Sequence, residues 1–307
     1  MATHTLDPTP TTTVDVFDAS LPPVCTLDPG DTLTVGALDA SGHLEAQRHP
    51  GDRDRPTMFP SARGHCLTGP IEVRGARPGQ VLAVEIRSVT PGSWGWTVAG
   101  ARATPITERL AIESEAWLLW AIDAGAAAAV DQHGHRVPLA PFLGVVGVPP
   151  AEGGAHSTIP PRPEGGGNID CRDLVAGSTL YLPVTVPGAM LCLGDGHAAQ
   201  GHGEVCGTAI ECPTTSEVRV GLLDAAEVPV GGVHAEAPVG RITFGFDADL
   251  NAATGDALDA AVTWVARLTG TDRVTALALA SATVDLHVTQ VANGTWGVHA
   301  VIPWHVG

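Results

Sequence analysis

The chain contains no lysine, because all 16 residues in its Lys and Arg count are arginine. Enzymes that form a Schiff base with their substrate or with pyridoxal phosphate need a lysine amine, and so does the Walker A phosphate loop. The sequence therefore excludes all three classes.

Positive charge of any kind is scarce, and 33 acidic residues give the chain a net charge of −17. Such a field repels phosphate backbones and anionic lipids, so we expect no nucleic-acid and no membrane partner. No stretch approaches the roughly 20 apolar residues that span a bilayer, and the N-terminal MATHTLDPTPTTT lacks the basic and apolar regions of a secretory signal. We expect a cytoplasmic protein that binds a neutral or cationic small molecule.

A CxxC pair is also missing, although the chain has six cysteines. They are scattered at Cys25, Cys66, Cys171, Cys192, Cys206 and Cys212. This spacing supports neither a zinc ribbon nor a dithiol redox motif, and it predicts mostly buried thiols.

Glycine and proline are abundant, with 37 and 25 residues spread along the chain. Segments of alternating polarity between turn residues predict short strands. We expect one hairpin between residues 71–73 and 81–86, a second between 178–184 and 189–193, and a strand at 117–122. The pattern predicts a mainly β fold, an antiparallel β-sandwich with a few helices that forms a single domain over residues 1–307.

The hydrophobic period becomes helical only near the C-terminus. Apolar residues on one face predict the longest helix at 256–268, and Gly270 is placed to end it. A shorter helical stretch follows at 272–281. Beyond it, Asn293 and Gly294 predict a hairpin between two strands.

The densest polar cluster is GDGHAAQGHGEVCGTAIE at residues 194–211, directly after a predicted strand. Residues two apart on a strand project to one face, so we expect Asp195 to lie beside His197, and His202 beside Glu204. The glycines between them allow sharp turns and close approach to a ligand. This spacing favours a cation site.

Gly194, Gly196 and Ala199 also match the G-x-G-x-x-A form of the dinucleotide fingerprint. That fingerprint must open a helix, but three of the eight residues at 200–207 are glycine. Each glycine would cost such a helix about 1 kcal/mol relative to alanine, and no βαβ alternation surrounds the motif. The context disfavours dinucleotide binding.

The 194–211 segment resembles the hallmark of the acetamidase/formamidase family, which runs close to Gly-Asp-x-His-Ala-x-Gln-Gly-Asp-Gly-Glu-Val-Cys-Gly-Thr-Ala-Ile-Glu. The resemblance covers about 31–303 and includes LTGP at 67–70, VRGA at 73–76, PFLGVVG at 141–147 and PRPEGGGNID at 161–170. It implies hydrolysis of short amides to acid and ammonia, a β-sandwich core, a bound divalent metal and a homo-oligomer. His202 stands where the family usually has aspartate, which puts the substrate preference in doubt.

Without lysine, neither a Ser-Ser-Lys nor a Glu-Lys-Cys amidase site can form, so an amidase here needs a metal or a Ser or Cys nucleophile activated by histidine. Asp195 and His197 are the first metal-ligand candidates. A catalytic zinc takes three protein ligands, and the further donor is expected to be His65 or, as a second choice, Asp39. An isolated Asp or His in a turn is often only hydrogen-bonded to nearby backbone.

Glu204, with His202 beside it, is the candidate general base. Two further possibilities stay open: Glu204 could pair with Arg162, or Glu211 could take the catalytic role.

Cys206 offers a different mechanism, in which its thiolate attacks with the help of His202. Its apolar and glycine neighbours favour a buried, inert thiol instead. Asn168 and Asp170 either bind the substrate amide or cap a turn.

A non-catalytic β-sandwich that binds calcium and acts through oligomer contacts is the competing hypothesis. Calcium prefers oxygen ligands, whereas the imidazoles of His197, His202 and His65 favour zinc. The sequence therefore favours a zinc-dependent hydrolase, an amidase acting on a small neutral amide.

Overall fold

A computed structural model describes all 307 residues and shows a mainly β protein with three helices. The helices are α1 (Pro105–Arg109), α2 (Leu250–Thr269) and α3 (Arg273–Thr283). The strands are β1 (Thr3–Leu6), β2 (Thr13–Val14), β3 (Cys25–Leu27), β4 (Thr32–Ala37), β5 (Leu67–Val73), β6 (Gln80–Pro91), β7 (Trp94–Ala99), β8 (Ala116–Asp123), β9 (Ala128–Asp131), β10 (Arg136–Pro138), β11 (Phe142–Gly147), β12 (Gly166–Asn168), β13 (Ser178–Pro183), β14 (Leu191–His197), β15 (Thr214–Asp224), β16 (His234–Ala237), β17 (Gly240–Asp247), β18 (Asp285–Gln290) and β19 (Trp296–Ile302). No helix is both long and apolar enough to cross a membrane.

The strands form three sheets. The largest has nine strands in the order β1-β4-β15-β6-β13-β16-β17-β19-β18, a second has six in the order β12-β11-β14-β5-β2 with β3 paired to β5, and a third has four in the order β10-β9-β8-β7. Strand pairs are antiparallel except for β1 with β4 and β3 with β5. The predicted strand at 117–122 is confirmed as β8.

The nine-stranded and six-stranded sheets share one core of 33 buried residues. Leu82 and Leu180 face it from the larger sheet, and Ile71 and Leu191 face it from the smaller one. Full burial of such a side chain contributes about 1.5–3 kcal/mol, so this interface is the main source of stability. The predicted antiparallel sandwich is confirmed.

Both hairpins predicted in the first two thirds of the chain are wrong. β5 pairs with β14 and β6 pairs with β15 and β13, so the turn at 76–79 carries the chain from one sheet to the other. Likewise, β13 pairs with β6 and β16, whereas β14 pairs with β11 and β5. Alternation identifies the buried face of a strand but not its neighbour.

The C-terminal predictions are closer to the structure. The longest helix lies there, but α2 begins at Leu250 rather than at residue 256, because the Asp249 side chain caps its first turn by accepting from the backbone N–H of Asn251. Gly270 ends it in the left-handed conformation at φ 65°. The hairpin at Asn293 and Gly294 joins β18 to β19 as predicted.

Candidate functional site

Strand β14 carries the first two predicted ligands into the six-stranded sheet. His197 Nε2 lies 3.4 Å from Asp195 Oδ1, which agrees with the predicted strand spacing. An isolated bridge between residues 197 and 211 brings Glu211 alongside, with its Oε1 3.2 Å from the same nitrogen. Phe142 on the adjacent strand β11 packs edge-on against the imidazole, with ring centroids 4.9 Å apart, and so limits its rotation.

Gly144 on β11 makes room for the cluster. A Cβ at this position would lie 2.5 Å from Asp195 Oδ2, 2.7 Å from Asp170 Oδ1 and 2.9 Å from His197 Cε1. Real Cβ contacts are not that short, so glycine lets the two carboxylates and the imidazole converge. Asp170 therefore belongs to this cluster rather than to a turn cap alone.

Four carboxyl groups surround one imidazole with almost no exposure to solvent. His197 is fully buried, and the exposed fractions of Asp170, Asp195, Glu204 and Glu211 are 1%, 2%, 6% and 2%. Three of these acidic residues have left-handed backbones, with φ of 51° at Asp170, 59° at Asp195 and 42° at Glu204. Non-glycine residues held in this region cost of order 1–3 kcal/mol each and cluster at functional sites.

Burial and mutual repulsion set the protonation of the cluster. Burial raises the pKa of Glu211 to about 7, and burial and neighbouring carboxylates raise the pKa of Asp170 and Glu204 well above the usual range. Burial opposes the charged form of His197, but Glu211 and Asp195 outweigh it and raise the pKa of the imidazole. Burial also opposes ionised Asp195, but His197 and His65 hold its pKa low.

Several atoms of the cluster are buried without any hydrogen-bond partner. They are Asp170 Oδ1, Asp195 Oδ1, Glu204 Oε2, and Nδ1 and Nε2 of His197. Nearly all buried polar atoms in proteins are paired, so these convergent atoms are free to bind an ion or water. Two groups of ligand atoms lie within 4.8 Å of one another, Asp170 with Asp195 and His197, and His197 with Glu204 and Glu211. The donor set fits a divalent cation.

A cavity of about 400 Å³ opens onto the cluster. Its wall contains the predicted residues His65, Asn168, Asp170, Asp195 and Glu204, and it also contains Glu211 and Trp96. The structure thus brings together most of the predicted site. Asn168 is held by a hydrogen bond from its Nδ2 to the carbonyl of Ile159, and its buried Oδ1 has no partner.

His65 is oriented by Thr158, whose hydroxyl lies 3.1 Å from its Nδ1. Burial lowers the pKa of its imidazole even though Asp195 opposes the shift, so the ring is neutral and has a lone pair to offer.

Asp39 lies behind this cavity rather than in its wall. Its carboxylate accepts a 2.7 Å hydrogen bond from Trp96 Nε1 and lies 2.9 Å from His43 Nδ1. The backbone N–H of Ser41 also donates to it. Asp39 therefore orients Trp96 in the wall, and its oxygens are already engaged.

The expected pairing of His202 with Glu204 on one strand face is wrong, because both residues follow β14 in a turn outside any strand. His202 instead contacts Asp173 and stacks on His287. Glu204 also lines a second, mainly apolar cavity of about 450 Å³ on its other side.

Neither an ion pair at Glu204 nor an activated thiol at Cys206 is formed. Arg162 does not pair with Glu204, because its guanidinium donates to the carbonyl of Val148 and lies over Phe17. The thiol of Cys206 contacts Thr208 rather than His202.

Sequence reasoning missed the role of Gly144 and gave Glu211 only as a second candidate for the catalytic role. The signal for Gly144 was its place in PFLGVVG, a segment already matched to the family. Gln200 was missed as well: its Nε2 donates to the carbonyl of Asp170 over 2.8 Å and supports that residue's left-handed backbone.

The sandwich and its buried histidine–carboxylate cluster define a β-fold protein with a small polar cavity. The model of the acetamidase/formamidase family matches residues 4–154 and 151–303, so the chain belongs to that family.

Individual relatives agree with this assignment. A putative formamidase of Schizosaccharomyces pombe is 32% identical over 216 residues, 52% of each chain. An acetamidase of Mycolicibacterium smegmatis is 31% identical over 222 residues, 52% of this chain and 53% of that one. The chain thus spans about half the length of the curated relatives it matches. The crystal structure of an acetamidase from Bacillus halodurans aligns with a TM-score of 0.85 at 28% identity, covering 98% of this chain and 97% of that one.

Proposed function

We propose that the chain hydrolyses the C–N bond of a small aliphatic amide, such as formamide or acetamide, to a carboxylic acid and ammonia, with a divalent metal held at His197. The observation that carries this proposal is the set of buried, unpaired oxygen and nitrogen atoms around His197 at the base of a polar cavity. Membership of the acetamidase/formamidase family and the names of the relatives supply the reaction class.

The residues that would hold the ion are Asp195, His197 and Asp170, with His65 as a further donor from the cavity wall. Imidazole with carboxylates is a donor set that zinc accepts, whereas calcium would be expected to bind oxygen atoms alone. When bound, such an ion supplies the Lewis acidity that generates a nucleophile at neutral pH and stabilises a developing oxyanion. Asp39 is not needed, because its oxygens already bind Trp96 and His43.

Glu204 carries the proton in this mechanism. Its carboxylate takes the proton of the attacking water and gives it to the departing nitrogen, which leaves as ammonia. Burial and the neighbouring Asp170 raise the pKa of Glu204, which makes its carboxylate a stronger base. Glu211 places a further carboxylate beside His197, with its Oε1 3.2 Å from Nε2.

Asn168 positions the substrate. Its Oδ1 is a buried acceptor without a partner, and the NH₂ group of a primary amide is a donor that can satisfy it. A small neutral amide also suits a cavity of about 400 Å³ in a chain whose net charge is −17. The predicted cytoplasmic location, the single domain and the homo-oligomer stay proposals that rest on the sequence and the resemblance.

Ammonia release from formamide and acetamide tests the proposal. Thorough chelation should abolish release, and zinc should restore it. His197→Ala should lose both metal and activity, whereas the matched variant His135→Asn, which changes an exposed histidine outside the cavity, should keep both. Full activity in chelated wild type would contradict the metal role, and no turnover of any short amide by the zinc-loaded protein would contradict the reaction.

A further inference from the structure

Three histidines meet at the edge of the nine-stranded sheet, outside the site described above. His287 on β18 lies directly opposite His299 on β19. The turn after β14 brings His202 against them, because Gly203 pairs with this strand edge through hydrogen bonds with Thr289 and Val291. Ring centroids are 4.5 Å apart for His202 and His287, 5.0 Å for His287 and His299, and 5.2 Å for His202 and His299.

A carboxylate completes this group. Asp173 Oδ2 lies 3.3 Å from His299 Nε2 and 3.7 Å from His202 Nε2. One ring nitrogen from each histidine lies within 4.8 Å of the others. We propose that His202, His287, His299 and Asp173 form a second transition-metal site of the zinc class, separate from the cluster at His197.

The donor chemistry supports zinc. Three imidazoles converge, and the carboxylate of Asp173 contacts two of them, so four donors are available, the number that structural zinc sites use, and calcium would avoid so many nitrogens. Zinc–nitrogen bonds of about 2.0–2.1 Å place tetrahedral ligand atoms about 3.4 Å apart. The nitrogens within 4.8 Å therefore need only small side-chain rotations to converge.

The surroundings of His299 are those of a metal ligand. Its Nδ1 is 2.8 Å from Thr289 Oγ1 in a fully buried contact, which fixes the ring and directs Nε2 at Asp173. A partner that holds the other ring nitrogen in this way is usual for metal-bound histidine.

No hydrogen bond holds His202 away from a metal, because its buried Nδ1 has no partner and its Nε2 lies 3.7 Å from Asp173 Oδ2.

The position of this second site suggests what it does. Glu204 follows His202 by two residues in the same turn, and Asp173 follows Asp170 by three. An ion bound by His202 and Asp173 would fix both segments that carry carboxylates to the first site. This positioning role rests on the proposed function, whereas metal binding itself does not.

Zinc binding by the full chain tests the proposal. Each protein is stripped with chelator and titrated with zinc chloride, and bound zinc per chain is measured by elemental analysis after dialysis. His287→Asn and His202→Asn should each bind about one equivalent less than wild type, since each removes one of four ligands. The control is His135→Asn, because His135 also lies 2.8 Å from an aspartate, Asp131, but this pair is not part of a group of three convergent ligand atoms. It should bind as much zinc as wild type.

His197→Ala separates this proposal from the proposed function, because it removes the first site and should still bind zinc at the second. Circular dichroism checks that every variant is folded, and His202 and His287 are both only half-buried, so neither substitution removes a core side chain. Equal zinc binding by wild type, His202→Asn and His287→Asn would overturn the second site. The three histidines would then be stacked side chains without a metal. A folded His197→Ala protein that binds no zinc would overturn it as well, whatever the amidase assay shows.

Discussion

The cluster around His197 and the C-terminal layer of α2 on β17 and β19 are both buried, but they are built on opposite principles. The layer packs small apolar residues such as Ala253, Ala257 and Ala261, and the buried hydroxyl of Thr243 is paired, because it donates to the carbonyl of Ala257. The cluster at His197 buries four carboxyl groups, several without partners, on a locally strained backbone. Packing in the layer stabilises the fold. The strained backbone and buried charges of the cluster destabilise it, but they place charged groups where a ligand can bind.

The sharpest test of this contrast is Glu204→Gln. The substitution keeps the size of the side chain but removes the proton carrier, so we expect kcat for amide hydrolysis to fall roughly 10²–10⁴-fold. Bound metal and the thermal unfolding midpoint should change little. Cys206→Ala is the matched control in the same turn, and it should keep most of its activity. The reverse result, an inactive Cys206→Ala protein with normal metal content, would point to thiol chemistry instead.

Gly144→Ala tests whether the cluster needs the space that the missing side chain of Gly144 leaves for its carboxylates. The new methyl group would meet Asp195 Oδ2 at 2.5 Å and Asp170 Oδ1 at 2.7 Å, so the ligands must move apart. We expect a large loss of zinc affinity and activity together with a destabilisation of about 1–3 kcal/mol, the usual range for overpacking. Gly255→Ala in α2 is the control, because nothing lies within 4 Å of its Cβ position. Wild-type zinc affinity in Gly144→Ala would show that the cluster is not the metal site.

The pH dependence of stability should also separate the two regions. Burial raises the pKa of Glu211 to about 7 and raises that of Glu204 well above its ordinary value, so ionising them as the pH rises disfavours the folded state. The raised pKa of His197 acts in the same direction, because its favourable charge is lost as the pH rises. Four buried or half-buried histidines with a lowered pKa act in the opposite direction below about pH 6.5, namely His65, His202, His234 and His299. The contribution of the cluster is therefore the difference between wild type and Glu211→Gln, and chelated wild type should lose more stability between pH 5 and pH 8 than the variant. Zinc should reduce this loss in wild type, and an equal loss in wild type and Glu211→Gln would contradict the raised pKa of Glu211.

The sequence predicts contacts between residues that are close together in the chain better than contacts between distant segments. Asp195 and His197 were predicted together because they are two residues apart on one strand, and Gly270 ended α2 as expected because a helix cap is local. Glu211 and Asp170 reach the same imidazole only through the pairing of distant segments, which no local period encodes. Alternation could not distinguish β14 from β6 as the neighbour of β5, because either pairing buries the same face.

The turn at His202 and Glu204 was mispredicted for a related reason. A spacing of two implies one face only if the segment is a strand, and Gly201 and Gly203 make it a turn. The start of α2 was placed too late because Gly255 interrupts the helical pattern, although Asp249 carried the cap signal.

Asp249→Ala is expected to have the smallest effect on the free energy of unfolding, and that effect should be limited to the apolar layer. The Asp249 carboxylate accepts a 2.8 Å hydrogen bond from the backbone N–H of Asn251, and removing an N-cap of this kind costs about 1 kcal/mol. We expect the free energy of unfolding to fall by that amount in urea titrations, with kcat and zinc content unchanged, because Asp249 does not line the cavity at His197. Asp256→Ala, an exposed residue in the middle of the same helix, should cost less, since alanine favours a helix interior. A drop in amidase activity without a drop in stability would mean that the layer and the cluster are coupled, and that the division between them is wrong.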